Sequence, residues 1–294
     1  MVDFAKEILG RVTNREGSTT GVASVYRGQS SFLEMGKDTF FDKLPKDPAL
    51  QAGAVDVWMA SVAGAADWIT KLRRTLSPNE LRRSERFFFE RDRLRYVVSH
   101  GLLRSILGRY MGADPSDLRF AAGTHGKPSL DGPHGGHGVT FNLSHSGDLV
   151  LVAIASHCRI GVDIEYVRAD FDWKPIAVRF FASGEVETLE CLPPDAGREG
   201  FFLYWTVKEA YMKALGRGLT LPPGSFEVSA LPPEPPVLIS DGAAPAGAAR
   251  WTFHRLDPGP GYAAALAAEG GSVRVRLRSL LGPADRHGTD LECR

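Results

Sequence analysis

Charged side chains recur in residues 201–219, FFLYWTVKEAYMKALGRGL, at a spacing that would bring reactive groups together on a helix. Residues four apart lie on one face of a helix, so Trp205, Glu209 and Lys213 form a row with Lys208 beside Glu209. A carboxylate flanked by two ammonium groups can hold a metal ion and an oxyanion together. A surface Glu–Lys pair worth ~0.2–0.5 kcal/mol explains the same spacing, and the segment taken alone favours that simpler explanation.

Two further carboxylates lie in residues 160–165, IGVDIE. Apolar residues alternate there with Gly161, Asp163 and Glu165, which predicts a half-buried strand carrying both carboxylates on one face. Gly161 leaves room for a close approach of backbone or ligand. Together with Glu209, the pair resembles a hard-cation site, although a solvated face is the commoner explanation of a lone D-x-E. All-oxygen ligands favour Mg²⁺ or Mn²⁺, and magnesium often also binds substrate phosphates.

The predicted secondary-structure elements follow one order twice along the chain. An Arg-rich helical segment precedes the short strands LRFAAG and KPSL and the hairpin VTFNLSHSGDLVLVAIAS. The helix of residues 201–216 precedes FEVSA, PVLIS and the hairpin RWTFHRLDPGPGYAAALAA. We therefore predict an α+β fold, with two similar α+β halves that form a pseudo-dimer around a central cleft. A cleft of this kind is a common ligand site.

This organisation divides the chain into four parts. Residues 1–50 form an N-terminal extension that we leave unassigned, and residues 51–165 form the N-terminal half, which ends in the carboxylate strand. Residues 166–281 form the C-terminal half with the charged helix, and we predict that residues 282–294 are a disordered tail. The whole is expected to be a monomer with an internal pseudo-twofold axis.

Composition limits the class of partner and the compartment. The formal net charge is zero, so no general attraction to nucleic acid or to a membrane is expected. Three widely spaced cysteines suit a reducing compartment better than a disulfide framework. Acidic residues in MVDFAKEILGRV argue against a signal peptide, and the apolar run of residues 149–155 is too short to span a bilayer. We expect a cytoplasmic protein.

The motifs together resemble a known family. GVDIE, followed by W-x-x-K-E-A-x-x-K-A-x-G-x-G-L, is similar to the paired signature of the 4'-phosphopantetheinyl transferases, most closely the surfactin-type branch. Upstream, GKPSL at residues 126–130 and FNLSHSGDLVLVAI at residues 141–154 resemble further family segments in the right order. The helical run of residues 76–107 resembles the segment that precedes them.

The resemblance implies a reaction and a partner. The family transfers the 4'-phosphopantetheine arm of its substrate coenzyme A to a serine of an acyl or peptidyl carrier protein, releasing adenosine 3',5'-bisphosphate. It implies that Mg²⁺, or Mn²⁺, is held by Asp163, Glu165 and Glu209. Glu209 is expected to be the base, acting directly or through a metal-bound water, and Lys213 to steady charge on the phosphates. Lys208 either shares that role or anchors the helix.

Coenzyme A contacts are also carried over position by position. The residues expected to hold the adenosine 3'-phosphate end are Lys127, Pro128, Ser144 and His145. Arg83 and Arg95 match positions that supply basic contacts in the family, whereas Glu80 stands where relatives often have a basic residue. Lys208 and Lys213 complete the expected contacts with coenzyme A.

A second hypothesis comes from a different class of protein. The chain could be a non-catalytic module that binds coenzyme A or a carrier protein. A degenerate copy would be expected to lose at least one reactive group, so intact Asp163, Glu165, Glu209 and Lys213 favour the enzyme. The sequence leaves open whether the natural carrier serves fatty acid, polyketide or nonribosomal peptide synthesis, and whether acyl-coenzyme A is accepted.

Overall fold

The computed structural model describes Leu44 and residues 48–242, 250–281 and 291–292. Most of the unassigned extension at residues 1–50 and most of the tail at residues 282–294 lie outside the described residues. The first elements are a strand, three helices and a strand pair: β1 (Ala54–Ser61), α1 (Ile69–Thr75), α2 (Pro78–Glu85), α3 (Glu90–Met111), β2 (Arg119–Ala122) and β3 (Pro128–Asp131).

A hairpin, a single strand and three helices occupy the middle of the chain. They are β4 (Val139–Ser146), β5 (Leu149–Ser156), β6 (Ile160–Tyr166), α4 (Lys174–Phe180), α5 (Ser183–Glu190) and α6 (Pro194–Leu215). The last elements are all strands: β7 (Phe226–Ser229), β8 (Val237–Asp241), β9 (Trp251–Leu256), β10 (Tyr262–Glu269), β11 (Arg274–Leu281) and β12 (Leu291–Glu292). The predicted α+β class is confirmed, and the predicted short strands and hairpins correspond to β2–β5 and β7–β10.

The strands form two larger sheets and two short pairs. A five-stranded sheet has the order β12-β11-β1-β5-β4, and a three-stranded sheet has the order β6-β10-β9. All neighbours are antiparallel except β1 and β11, which run parallel. Strands β2 with β3 and β7 with β8 form the two short pairs. Leu291 and Glu292, which fall in the tail predicted to be disordered, pair with Leu277 and Arg276 as β12.

Among the described residues, the three larger apolar clusters lie where the two sheets stack between the two long helices. Alternate side chains of β1 and β5, such as Trp58 and Val152, pack against α3. The opposite side chains of these strands, such as Val57, pack against side chains of β6 and β10, such as Leu266. The other face of β10, including Ala265, packs against α6. No helix among the described residues is both long enough and apolar enough to cross a membrane.

Helix α6 lies directly on β6. The helix ends at Gly216, which has the left-handed conformation, φ 67°, that favours glycine at this position. A Cβ atom added at Gly161 of β6 would overlap the backbone O of Ala210 and the backbone N of Ala214. The predicted close approach at Gly161 is therefore confirmed, and the approaching group is the backbone of the helix. The prediction of a half-buried strand is wrong, because α6 covers the face that carries the carboxylates and the whole of β6 up to Glu165 is buried.

A buried ion pair fixes the other side of α6. The Nζ atom of Lys208 lies 2.5 Å from Oε1 of Glu185 on α5, and both side chains are 1% exposed. Lys208 also donates to the backbone O of Phe226, and the same Glu185 oxygen accepts from the backbone N of Val228, each at 2.8 Å. Burial lowers the pKa of Lys208 to about 8 and raises the pKa of Glu185. These contacts tie α6 to α5 and β7.

The contact between Gly161 and α6 predicts a severe effect of a single methyl group. We expect Gly161→Ala to lower the free energy of unfolding by at least ~1–3 kcal/mol, because the overlapping atoms belong to the backbone and cannot rotate away. The matched control is Gly271→Ala, where the added Cβ meets open space, and a change within ~0.5 kcal/mol is expected. Urea unfolding measures both, and equal stabilities for the two variants would contradict the contact.

The buried pair predicts a large effect that depends on both partners. Lys208→Met leaves the Glu185 carboxylate buried without its cation and should cost ~3–5 kcal/mol in urea unfolding. The double variant Lys208→Met with Glu185→Gln should recover part of the lost stability, because the amide oxygen of Gln can still accept from the backbone N of Val228. Arg73→Met, which breaks an exposed ion pair with Glu85, should cost ~0–1 kcal/mol. A Lys208→Met variant as stable as wild type would rule out the anchoring role.

Candidate active site

Asp163 lies where three elements meet. It is buried on β6, beside β4 and beneath α6. Its Oδ1 atom accepts from Oγ of Ser144 on β4 at 2.9 Å and from Nζ of Lys213 on α6 at 2.6 Å. Lys213 also donates to Ser144 Oγ at 3.1 Å. The structure therefore brings together three residues that lie far apart in sequence and that were all predicted to belong to the site.

Glu165 lies two residues further along the same face of β6. Its Oε2 atom accepts from Oγ of Ser146 at 2.8 Å, and the carboxylate is buried. Ser146 was not among the predicted site residues. The sequence could have indicated it, because Ser146 lies two positions after Ser144 on a predicted strand and therefore projects from the same face of β4.

Glu209 lies one turn before Lys213 on α6 and is also buried. Because residues four apart share a helical face, Glu209 is on the side of α6 that carries Lys213 toward β6. Three carboxylates thus occupy two adjoining elements. Within the described part of the chain, no three His, Cys, Asp or Glu residues are close enough together to form a ready-made metal cluster. The cation nearest to Asp163 in this arrangement is the ammonium of Lys213.

Lys127 and Pro128 lie at the opposite end of β6. Nζ of Lys127 donates to the backbone O of Ile160 at 2.8 Å and to that of Ala214 at 3.2 Å. A cation at this place interacts favourably with the C-terminal end of the α6 dipole. Burial lowers the pKa of Lys127 to about 8. Through these two hydrogen bonds, Lys127 joins β6 to the end of α6. The next residue, Pro128, begins β3 and pairs with Ala122.

The remaining predicted contacts lie at the surface of the N-terminal half. His145 is partly buried and projects from the face of β4 opposite to Ser144 and Ser146. Arg95 donates to the backbone O of Gly147 at 3.1 Å, and so ties α3 to the turn after β4. Arg83 lies over the ring of Tyr96, 5.8 Å from its centroid. It also lines an open cavity of about 560 Å³ with Asn79, Arg82, Arg86 and Phe87.

Glu80 and Lys208, which were considered from the sequence for contacts with coenzyme A, form ion pairs with other residues of the chain. Glu80, which stands where relatives often have a basic residue, closes the capping box of α2 with Ser77 and pairs with the buried Arg104 at 2.8 Å. Lys208 is held by Glu185 and is not brought together with Asp163. Of the two roles considered for Lys208, its contacts favour the anchoring of the helix.

Comparison with known proteins places both halves of the chain in one family. A family model described as "4'-phosphopantetheinyl transferase, N-terminal" matches residues 58–158. A second, described as "4'-phosphopantetheinyl transferase superfamily", matches residues 159–267. A solved structure, that of Thermotoga maritima holo-[acyl-carrier-protein] synthase, covers 39% of this chain and 64% of its own at 21% identity and a TM-score of 0.30. That likeness is too weak to carry an argument.

Similar curated proteins extend over most of the chain. The 4'-phosphopantetheinyl transferase HetI of Nostoc sp. is 38% identical over 229 residues, which are 77% of this chain and 93% of HetI. The 4'-phosphopantetheinyl transferase Sfp of Bacillus subtilis is 35% identical over 157 residues, which are 52% of this chain and 66% of Sfp. The identity to HetI across nearly its whole length, together with the two family models, shows that this chain belongs to the 4'-phosphopantetheinyl transferase family.

Proposed function

We propose that this chain transfers the 4'-phosphopantetheine arm of coenzyme A to a serine hydroxyl of an acyl or peptidyl carrier protein. The other product is adenosine 3',5'-bisphosphate. The observation that carries the proposal is the contact of Asp163 with Ser144 and Lys213 at the junction of β4, β6 and α6, in a member of this family.

The carboxylates supply a donor set that fits a hard cation. Asp163, Glu165 and Glu209 are buried, offer only oxygen atoms, and lie on two elements in contact. They would hold Mg²⁺, with Mn²⁺ as the alternative, and the metal would neutralise the pyrophosphate of coenzyme A. Ionised carboxylates that are buried near one another repel, and a divalent cation would offset that repulsion.

We propose that Lys213 acts on the leaving group. Its ammonium lies 2.6 Å from Asp163 and is buried, so its charge is poorly screened by water. Negative charge grows on the bisphosphate as the bond between phosphorus and the bridging oxygen breaks. We propose that Lys213 donates to that phosphate and so stabilises the developing charge.

Glu209 is the candidate base. The carrier serine must lose its proton as its Oγ atom bonds to the phosphorus attached to the pantetheine arm. We propose that the carboxylate of Glu209 takes this proton, while the bond from the same phosphorus to the bridging oxygen breaks. Much of the remaining acceleration would come from holding the two substrates together. A module that binds coenzyme A without transfer is the alternative.

The adenosine 3'-phosphate end is assigned to the basic surface of the N-terminal half. We propose His145, Arg83 and Arg95 as its contacts, and we propose that Pro128, at the other end of β6, shapes the backbone next to Lys127. Ser144 and Lys127 are engaged by Asp163 and by two backbone carbonyls, so we assign to them a supporting role.

We further propose that the two halves form an internal pseudo-dimer. The orders β1-β5-β4 and β6-β10-β9 match, and each half contains a helix of 22 residues, α3 or α6. Both support the duplication. They also favour a boundary before β6, rather than after residue 165, and the two family models meet at residues 158 and 159. We propose a monomer with an internal pseudo-twofold axis.

The transfer itself is tested by mass spectrometry. Wild-type protein with coenzyme A, Mg²⁺ and an apo carrier protein should add one phosphopantetheine arm to the carrier, and EDTA should stop the reaction.

In the same assay, Glu209→Gln should lose turnover by ~10²–10⁴-fold, since the amide cannot accept the proton. Lys213→Arg should retain more turnover than Lys213→Ala, because it keeps the charge. Coenzyme A binding without any transfer by wild type would favour the binding module.

The 3'-phosphate assignment is tested by comparing two ligands. His145→Ala should weaken binding of coenzyme A by roughly tenfold or more, because a charge-assisted hydrogen bond is lost. Binding of 3'-dephospho-coenzyme A should change little. His137→Ala, at an exposed loop histidine, is the control and should bind both ligands as wild type does. Calorimetric titration measures the affinities, and an equal loss for both ligands would contradict the assignment.

A further inference from the structure

Strand β4 holds β6 through side chains at every second position. The backbone N of Val162 donates to Oδ1 of Asn142 at 2.8 Å, and the backbone N of Tyr166 donates to Oγ of Ser146 at 3.0 Å. Between them, the backbone N of Ile164 donates to Oγ of Ser144 at a longer 3.4 Å. We call this row of bonds from Asn142, Ser144 and Ser146 the seam.

The seam closes an edge of the three-stranded sheet. Strand β6 lies at the edge of this sheet, and its backbone pairs with that of β10 on one side. The backbone of β4 pairs with that of β5 in the other sheet. An edge strand presents a row of N–H groups that need acceptors. The side chains of β4 provide those acceptors in place of another strand. The seam thereby fixes β6 relative to β4.

The direction of the hydrogen bonds in the seam is determined by chemistry. A backbone N–H can only donate, and an ionised carboxylate can only accept. Oγ of Ser146 accepts from Tyr166, so its single proton is directed to Oε2 of Glu165 at 2.8 Å. The hydroxyl thus forms the middle of a chain that runs from amide to hydroxyl to carboxylate, in which each bond polarises the next.

We propose that Ser146 is a positioning residue for Glu165 in the transfer reaction. Its hydroxyl orients the carboxylate before a cation arrives, and so reduces the reorganisation needed on binding. Ser144 has the same relation to Asp163, but it also contacts Lys213, so Ser146 is the cleaner case. The proposal rests on the proposed function, because Glu165 is taken as one of the metal ligands.

Asn142 provides a matched control within the same seam. It accepts from a β6 amide as Ser146 does, but in the described part of the chain it donates to no carboxylate. Removal of either side chain leaves one β6 amide without its acceptor. Only the removal of Ser146 also releases a carboxylate of the site. A purely structural role for the seam therefore predicts similar effects of Asn142→Ala and Ser146→Ala on every property.

The experiment measures Mn²⁺ binding to the full chain with saturating coenzyme A and no carrier protein. The electron paramagnetic resonance signal of free Mn²⁺ is the readout, with coenzyme A alone as the blank. Ser146→Ala should bind Mn²⁺ about 10–100-fold more weakly than wild type, as is usual when a partner of a metal ligand is removed. Ser146→Thr, which keeps the hydroxyl, and Asn142→Ala should bind like wild type. In steady-state transfer, Ser146→Ala should lower kcat and leave the KM for the carrier unchanged.

Several outcomes would overturn the proposal. Wild-type Mn²⁺ binding by Ser146→Ala would remove the positioning role, and an equal loss in Asn142→Ala would show that the seam acts only through the fold. If Ser146→Ala does not fold, Ser146→Cys keeps a weak donor of similar size and should fall between wild type and the expected loss; binding equal to wild type would contradict the proposal. A wild-type protein that transfers but binds no Mn²⁺ would overturn this inference and leave the transferase assignment intact.

Discussion

The contact between α6 and β6 at Gly161 is the constraint on which the site depends. Because no side chain stands between them, the helix backbone lies against the strand, and Lys213 is carried to within 2.6 Å of Asp163. A larger residue at this position would lift the helix and separate the ammonium from the carboxylate. The glycine of the GVDIE motif therefore acts through packing, because it sets the distance between α6 and the carboxylates that we propose as metal ligands.

Helix α6 is held by charges on two sides. Lys208 and Lys213 are five residues apart, which places them about 140° apart around the helix. One reaches Glu185 and the C-terminal half, and the other reaches Asp163 and β4. Both ammonium groups are buried, and each would be costly without its carboxylate. The same W-x-x-K-E-A-x-x-K pattern thus contains one lysine that fixes the rotation of the helix and another whose position depends on that rotation.

Local patterns in the sequence predicted the strand of Asp163 and Glu165, the charged helix and both hairpins. The alternation of residues 160–165 could not reveal that α6 covers the carboxylate face, because burial of that face depends on a segment more than thirty residues away. The pairing of β1 with β11 was also missed, since its partners, such as Asp56 and Arg276, are 220 positions apart. The ion pairs of Lys208 with Glu185 and of Glu80 with Arg104 could not be predicted either, because no local pattern links partners so far apart in the sequence.

The N-x-S-H-S motif gains a physical meaning once the strands are placed. Its first, third and fifth residues project toward β6 and supply acceptors to a sheet edge, while His145 projects from the opposite face. A ladder of backbone hydrogen bonds would satisfy the same edge, but its amides and carbonyls could not also donate a hydroxyl proton to a carboxylate. Serine can do both at once. An edge closed by serines is therefore suited to a strand whose buried carboxylates must be held in place.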